Sequence, residues 1–398
     1  MSRLSRRVFL RTGLAGTAGA LTASPVFASA GHSIDQRDII CRTLGKTLLK
    51  VPVISFGVMR ADNPALCKAA YESGIRLFDT ANGYQNGNNE RMLGTLFRDL
   101  PRDSFIIETK VKAAGIDRNG LPTAQTTPED FMSRFSESLS RLQMDYVDLL
   151  FIHDVSNPEL LEYKPLINTL QRLKKQKKTR FVGFSTHSNM AAVINAAAAD
   201  SDNWDAILTS YNFKVEDISD MDAALQKANN AGLGIIAMKT LAGGEFLDKE
   251  RTKPLNTAAA LKWVLSNTNI HTAIPGMTTF EHLTANTVIL KDIEMTEKEK
   301  QDLLYAQHET GMYCTGCTKC LPQCPFNLPV PDLMRAYMYA YGYSNIPMAY
   351  ALLGELGTGT APCINCDKCK ITCTKNFNLK EKISDVSRLV NTPADFII

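Results

Sequence analysis

YVDLLFIH, residues 146 to 153, is a short apolar run that ends on a histidine. Such a run is typical of a strand inside a parallel sheet, where both faces are covered by other elements. Seven more runs share this character: VPVISFG (51 to 57), IRLFD (75 to 79), SFIIETK (104 to 110), RFVGFS (180 to 185), DAILTSY (205 to 211), GIIAMK (234 to 239) and HTAIP (271 to 275). The sequence therefore predicts eight buried parallel strands.

Longer amphipathic segments separate these strands. The clearest is PEDFMSRFSESLSRL, residues 128 to 142, which has Thr127 as a plausible N-cap and Pro128 at its first helical position. Eight strand-helix units between about Arg42 and Asn286 predict an α/β fold, the TIM (β/α)8 barrel. The preceding RTLGKTLLK, residues 42 to 50, is expected to form a small hairpin over the bottom of the barrel.

Polar residues end three successive strands of the predicted barrel. Asp79 ends IRLFD, Lys110 ends SFIIETK and His153 ends YVDLLFIH, while Tyr84 follows in the loop DTANGY. Taken singly, each has a structural explanation, as a helix cap, a solvated strand end, a core histidine and a packed aromatic residue. Because TIM-barrel active sites lie at the carboxyl ends of the strands, the four together predict a catalytic site.

The chemistry of this set suits reduction of a carbonyl group. A tyrosine with a pKa near 10 is a poor acid at neutral pH, and a nearby lysine ammonium would lower that pKa. Asp79 would hold Lys110 as an ion pair, and His153 would orient the substrate carbonyl. Tyr84 would then protonate the carbonyl oxygen while hydride reaches the carbon, or take a proton from an alcohol in the reverse direction.

Eight of the ten cysteines form two runs with the spacing C-x2-C-x2-C-x3-C. The spacing is that of bacterial ferredoxins with two [4Fe–4S] clusters, in which the fourth cysteine of each run ligates the other cluster. Zinc sites and a disulfide framework are the alternatives, but they do not call for so regular a triple spacing. The predicted ligands are Cys314, Cys317, Cys320, Cys324, Cys363, Cys366, Cys369 and Cys373.

Some residues near the runs and in the barrel receive no functional role. Thr374 stands where the second run would usually have a proline. Cys41 and Cys67 lie outside both runs and are expected to be barrel thiols. The tyrosines of YMYAYGY, residues 337 to 343, are expected to pack between helices.

The N-terminal 30 residues resemble a twin-arginine export signal. Arg6 and Arg7 stand in SRRVFLR, a weakly apolar run starts at Leu14, and Ala28-Ser29-Ala30 is a small-x-small cleavage site. The alternative is an uncleaved amphipathic anchor. Export of the folded protein by the twin-arginine machinery, with the clusters already inserted, predicts a periplasmic location.

Charge and hydropathy exclude two classes of partner. The formal net charge of the chain is +3, and cleavage at Ala30 would remove four arginines and leave −1. A nucleic-acid footprint would need a basic face, so no nucleic-acid partner is expected. After residue 30 no apolar stretch reaches the roughly 18 residues of a membrane span, so the mature chain is expected to lack a transmembrane segment.

RTLGKT, FDTANGY, ETKV, LLFIHD, GFSTHS, AMKTLAGG and the IPG segment resemble the aldo-keto reductase family over residues 42 to about 290. With the cysteine runs, the chain resembles the branch that carries a C-terminal ferredoxin-like domain. The resemblance implies the catalytic tetrad Asp79, Tyr84, Lys110 and His153. It also implies a nicotinamide cofactor, NAD or NADP, that contacts Ser185, Thr186, Tyr211, Lys239, Leu241, Gly276 and Asn286.

The cofactor side departs from the family pattern at several positions. Leu208 replaces a glutamine, and Met238 replaces an aromatic residue under the nicotinamide. Gly276 and His282 replace the lysine and arginine that bind the 2′-phosphate of NADP. Each lost charge-assisted bond would be worth roughly 1.5 to 3 kcal/mol, so the resemblance does not decide between NAD and NADP.

The predicted organisation has three parts: a signal over residues 1 to 30, a barrel with a connecting helix over 31 to 309, and a small, mainly helical ferredoxin-like dicluster domain over 310 to 398. One hypothesis is an exported oxidoreductase that acts on a small carbonyl or alcohol, such as a sugar, with the two clusters as an electron relay to an unknown redox partner. The alternative is an electron-transfer protein whose barrel is a scaffold without turnover.

Overall fold

The computed structural model describes residues 38–215, 218–359, 363, 366 and 368–397 of the chain. The predicted export signal, residues 1 to 30, lies outside these residues. Within them, eight parallel strands form one sheet, and a separate two-stranded hairpin precedes it. The hairpin strands are β1 (Cys41–Thr43) and β2 (Lys50–Pro52). The sheet strands are β3 (Phe56–Gly57), β4 (Leu77–Asp79), β5 (Ile106–Val111), β6 (Val147–Ile152), β7 (Thr179–Thr186), β8 (Ala206–Ser210), β9 (Gly234–Met238) and β10 (Thr272–Ala273).

The two edges of the sheet meet and close it into a barrel. The strands follow one another in chain order from β3 to β10. The backbone N–H of Ser55 donates to the carbonyl oxygen of Ala273 at 2.8 Å, and that of Gly57 donates to Pro275 at 3.2 Å. The predicted TIM barrel is therefore confirmed.

The predicted first strand, residues 51 to 57, is wrong in its bounds. Its first half belongs to the hairpin, where Val51 pairs with Arg42 and Pro52 with Cys41, and only Phe56–Gly57 lies in the barrel. Proline has no backbone N–H to donate to a central ladder, so Pro52 favours an edge position.

Helices follow the strands and cover the outside of the barrel. Helix α3 shows the predicted cap, because the Thr127 side chain accepts from the backbone N–H of Asp130 and Pro128 follows it. The barrel helices are α1 (Pro64–Glu72), α2 (Asn88–Phe97), α3 (Pro128–Leu142), α4 (Lys164–Lys175), α5 (Met190–Ala199), α6 (Ile218–Asn230), α7 (Thr257–Ser266) and α8 (Phe280–Val288), and α9 (Glu297–His308) connects to the cysteine-rich segment.

The described residues of the cysteine-rich segment form three α-helices, α10 (Val330–Tyr337), α11 (Ile346–Leu356) and α12 (Leu379–Ser387). A π-helix, Met338–Gly342, continues α10. Apolar side chains of this segment share one core with residues from the barrel loops, including Phe213, Ala242 and Leu247. No helix in the described ranges has the length and hydropathy needed to span a bilayer.

The barrel wall leaves no room for a side chain at one position, which gives a test of the fold. A Cβ at Gly183 in β7 would lie 2.0 Å from the carbonyl oxygen of Ala206 in β8 and 2.7 Å from the ring of Phe151 in β6. Gly183→Ala should destabilise the protein by about 1 to 3 kcal/mol or more, since overpacking forces neighbours apart. The shift in the urea unfolding midpoint measures this cost.

Gly354→Ala in α11 is the matched control. A Cβ at Gly354 meets no atom within 4 Å, and alanine favours the helix, so a gain of about 0.5 to 1 kcal/mol is expected. Equal midpoints for the two variants would contradict the close strand packing at Gly183.

Candidate active site

A cavity of about 570 Å³ opens at the carboxyl ends of the barrel strands. This size is typical of a site for a small ligand. Asp79, Tyr84 and His153 line it from the barrel. The opposite wall comes from the cysteine-rich segment, which contributes Arg335, Tyr339, Tyr343, Ser344 and Met348.

Lys110 and Asp79 form a buried ion pair beside this cavity. Their strands are neighbours, and the Lys110 ammonium donates to the Asp79 carboxylate and, at 2.6 Å, to the carbonyl oxygen of Thr80. Burial alone would lower the pKa of Lys110, but Asp79 and other nearby acidic groups raise it above its ordinary value. The ammonium therefore stays charged at neutral pH.

Tyr84 and His153 lie above this pair. The Lys110 ammonium is 5.1 Å from the centroid of the Tyr84 ring, and the Tyr84 and His153 rings meet edge to face at 5.9 Å. The structure thus brings together all four residues of the predicted tetrad.

The pKa values of the two rings correct one part of the sequence interpretation. Burial raises the pKa of Tyr84, and the opposing effect of Lys110 does not cancel that rise. Tyr84 is therefore a protonated phenol at neutral pH, ready to donate its proton. Burial and the charge of Lys110 lower the pKa of His153 to about 3, so His153 acts as a neutral hydrogen-bonding group.

Three of the seven predicted cofactor residues, Lys239, Leu241 and Gly276, line the cavity. Lys239 follows β9 with φ at 53°, a left-handed conformation that is uncommon for a residue with a side chain. Its ammonium lies 5.0 Å from the Tyr339 ring centroid and 5.9 Å from that of Tyr343. Burial and the Arg335 guanidinium lower the pKa of Lys239 to about 7.

The other four predicted cofactor residues lie outside the lining of the cavity. Ser185 accepts a hydrogen bond from the backbone of Asp154 at 2.9 Å, and Thr186 donates to the carbonyl oxygen of Ser188 at 3.1 Å. Tyr211 turns away, donates to Asp222 at 2.7 Å and stacks on Trp263. Asn286 is buried within α8.

Residues of the cysteine-rich segment complete the cavity, and sequence reasoning missed them. The tyrosines of 337 to 343 divide into two pairs: Tyr337 and Tyr341 pack on each other, with ring centroids 4.6 Å apart, whereas Tyr339 and Tyr343 line the cavity. Arg335, Tyr339 and Tyr343 follow one another at intervals of four residues, which places them on one face of a helix. This spacing was the sequence signal that could have identified them.

Arg335 joins the segment to the barrel. It donates to both carboxylate oxygens of Asp154 at 3.2 Å, and to Asp332 on its own helix at 2.6 Å. Asp154 directly follows His153, so this contact connects α10 to the strand end that carries the tetrad histidine. Arg335 is only 13% exposed, and bidentate geometry strengthens such pairs.

The cysteines gather in two groups, each drawn from both runs. Cys314, Cys317 and Cys320 line one small cavity together with Cys373. Cys363, Cys366 and Cys369 line another together with Cys324. None of the ten cysteines forms a disulfide, and no group of His, Cys, Asp or Glu in the described part converges closely enough to hold a single metal ion. Each set of four cysteines lines a small space of its own.

The first cysteine group lies next to the active-site cavity. A small space beside the cavity is lined by Tyr313, Cys314, His187, Lys239 and Arg335. His187, Lys239 and Arg335 also line the active-site cavity. These three residues therefore border both the candidate active site and the space that Cys314 lines.

Comparison with known proteins agrees with this architecture. The profile of the Aldo/keto reductase family matches residues 57–258, and that of the 4Fe-4S dicluster domain matches residues 313–377. The chain therefore belongs to the aldo/keto reductase family, and it is an oxidoreductase with a C-terminal iron–sulfur domain.

Individual relatives are distant. The chain is 27% identical to L-galactose dehydrogenase of Arabidopsis thaliana over 66% of its length and 91% of that protein. It is 28% identical to the aldo-keto reductase AFTS1 of Alternaria alternata over 54% of its length and 68% of that protein. An aldo-keto reductase structure from Bacillus halodurans, 21% identical, covers 67% of the chain and 96% of its own with a TM-score of 0.55, which shows the fold alone.

Paired cysteine substitutions test the grouping across the runs. Cys317→Ser should remove the first cluster, which is about half of the bound iron. Adding Cys373→Ser should remove no more iron, because Cys373 belongs to the group already lost. Adding Cys324→Ser should instead remove the remainder, because Cys324 belongs to the other group. Iron and sulfide analysis of the anaerobic protein measures the loss in each double variant. If Cys373→Ser removed the remaining iron and Cys324→Ser removed none, each run would bind its own cluster.

Proposed function

We propose that the protein interconverts a carbonyl and an alcohol on a small molecule and exchanges the electrons with a partner through two [4Fe–4S] clusters. The observation that carries this proposal is the shared wall: side chains of the cysteine-rich segment line the cavity that holds Asp79, Tyr84 and His153. A domain that only stabilised the barrel would have no need to contact the site of chemistry.

Each tetrad residue has a role that its surroundings support. Tyr84 stays protonated and lines the cavity, so it donates its proton to the carbonyl oxygen in reduction. The charged Lys110, held by Asp79, stabilises the phenolate that remains. His153 is neutral and hydrogen-bonds the substrate oxygen.

The cavity can accommodate a nicotinamide cofactor, which would supply hydride transfer when bound. It extends from the tetrad past Lys239 and Leu241 to Gly276 and His282. His282 pairs with Glu245 at 2.6 Å, and a carboxylate at this position disfavours a 2′-phosphate by like-charge repulsion. NAD is therefore the preferred cofactor in this proposal, with NADP second.

A sugar or a similar polyol is the proposed substrate class. The name of the Arabidopsis relative assigns L-galactose to that protein. The cavity of this chain combines tyrosine faces with hydrogen-bonding groups such as Ser344 and His187, and both suit the alternating apolar and hydroxyl surface of a sugar.

The cysteine groups support the relay. Each offers four thiols to one [4Fe–4S] cluster, and a cluster exchanges one electron at a time. The proposed export places the protein outside the cytoplasm, where no diffusing pool of nicotinamide is expected. A cofactor carried out inside the folded barrel, with electrons passed to a redox partner through the clusters, is consistent with a site that the cysteine-rich segment covers.

One observation favours the alternative of a barrel without turnover. Ser185, Thr186, Tyr211 and Asn286 lie outside the cavity lining, so the barrel offers fewer cofactor contacts than the family resemblance implies. An electron-transfer protein with a scaffold barrel would need none of these contacts, and it would not need Tyr84.

Tyr84→Phe separates the two functions. If Tyr84 is the acid–base group, taking the proton of the alcohol in this direction, the variant should lose about 100-fold or more of the oxidation of L-galactose and related aldoses with NAD, while the unfolding midpoint stays the same. The control is Tyr71→Phe, which removes a hydroxyl bonded to Ser104 away from the cavity. Equal turnover in both variants would contradict the role of Tyr84, and a wild-type protein without turnover would favour the scaffold barrel.

A further inference from the structure

Glu108 occupies an unusual position beneath the tetrad. It stands two residues before Lys110 on β5, so both side chains point into the barrel. Glu108 is fully buried, and its Oε1 lies 3.6 Å from the Lys110 ammonium. Neither carboxyl oxygen accepts a hydrogen bond from any side chain or backbone donor in the described ranges.

Among the residues that the structure describes, Lys110 is the cation that faces Glu108. In the strand register Glu108 pairs with Asp79 of β4 on one side and with the apolar Leu149 of β6 on the other. The ionisable groups that face it are Asp79 and Lys110, with Tyr84 as the next group above Lys110. Asp79 already forms an ion pair with the Lys110 ammonium. An ionised Glu108 would therefore be a buried charge without a partner of its own, and such a charge strongly destabilises the fold.

We propose that Glu108 holds a proton at neutral pH and supplies it through Lys110 to Tyr84 when a carbonyl is reduced. The turnover part of this proposal rests on the proposed function of the tetrad. Burial, and then the neighbouring Asp79 carboxylate, raise the pKa of Glu108 well above its ordinary value, in agreement with the geometry. Glu108 touches no substrate and is therefore a positioning residue that acts through Lys110.

Every proton that moves during carbonyl reduction has a donor and an acceptor. A bound reduced nicotinamide would supply the hydride that adds to the carbonyl carbon and would become oxidised, while the substrate oxygen takes the proton of the Tyr84 hydroxyl. The resulting phenolate takes a proton from the Lys110 ammonium, and the Lys110 amine takes one from the Glu108 carboxyl group. Glu108 ends as a carboxylate beside a charged Lys110, and solvent that enters the cavity after product release returns the proton by the reverse route.

Infrared spectroscopy tests the stored proton without any turnover. The spectrum of the wild-type holoprotein minus that of Glu108→Gln, at neutral pH, should contain the carbonyl band of a protonated carboxylic acid. Glu90→Gln is the matched control, because Glu90 is also fully buried on the outer side of the sheet but pairs with Arg141 at 3.5 Å and accepts from Thr109. If Glu108→Gln fails to fold, Glu108→Met, which is similar in length, takes its place.

Steady-state kinetics test the proton transfer from Glu108 through Lys110 to Tyr84. At neutral pH, Glu108→Gln should lower kcat for carbonyl reduction by at least about tenfold with little change in KM, because proton delivery is lost and substrate binding is kept. Glu108→Asp, which retains an ionisable carboxyl group, should restore part of the rate. The plot of kcat against pH for the wild-type protein should contain an ionisation that is lost in Glu108→Gln. The same ionisation should persist in Lys239→Gln, which shows that it does not come from Lys239, whose pKa is about 7.

The outcomes separate this proposal from the proposed function. Carboxylate bands in the difference spectrum, with no acid band, would overturn the stored proton. An acid band together with wild-type kcat and pH profile in Glu108→Gln would overturn the transfer. An absence of turnover in the wild-type protein itself would overturn the proposed function and the transfer together, and the infrared result would still decide where the proton lies.

Discussion

The close approach of two backbones allows the cysteine-rich segment to lie on the mouth of the barrel. A Cβ at Gly342 would lie 2.0 Å from the carbonyl oxygen of Gly243, and one at Gly244 would lie 2.5 Å from that of Gly342. Only glycines allow this contact. It fixes the end of the π-helix against the loop after β9, and that placement brings Tyr339 and Tyr343 over the cavity. The wall of the site and the nearness of the first cysteine group to it both depend on this approach.

Electrostatics organises the floor of the cavity in a complementary way. The barrel interior is apolar, with Leu149 and Phe151 close to the tetrad strands, so the Lys110 ammonium needs a buried counter-charge. Asp79 provides it from the neighbouring strand. The same low-polarity surroundings keep Tyr84 protonated and His153 neutral, which is the distribution of protons that carbonyl reduction requires. Above the floor, Arg335 is paired with Asp154 and Asp332, and it helps to lower the pKa of Lys239 to about 7.

Local patterns predicted much of the fold and the centre of the site. YVDLLFIH was predicted as a strand over 146 to 153 and forms one over Val147–Ile152. A short apolar run of this kind predicts a buried strand without any knowledge of its tertiary neighbours. The tetrad followed from the rule that strand ends converge.

The first strand was misplaced because Pro52 pairs in the hairpin, and that pairing depends on tertiary structure. The roles of Tyr339, Tyr343 and Arg335 were missed because they arise from contact between segments far apart in sequence. Tyr211 was assigned by resemblance, yet its hydroxyl finds Asp222 on the far side of the strand.

The central claim is that the active site and the clusters exchange electrons, and a single-turnover experiment tests it most directly. The clusters of the anaerobic holoprotein are reduced with dithionite, the excess is removed, and a carbonyl substrate is added while the electron paramagnetic resonance of the reduced clusters is recorded. The account predicts that the signal disappears as about one product molecule forms per chain, since the two one-electron clusters together hold the two electrons that the bound nicotinamide would pass to the substrate as hydride. A signal that persists unchanged while the same substrate turns over with added NADH would contradict it.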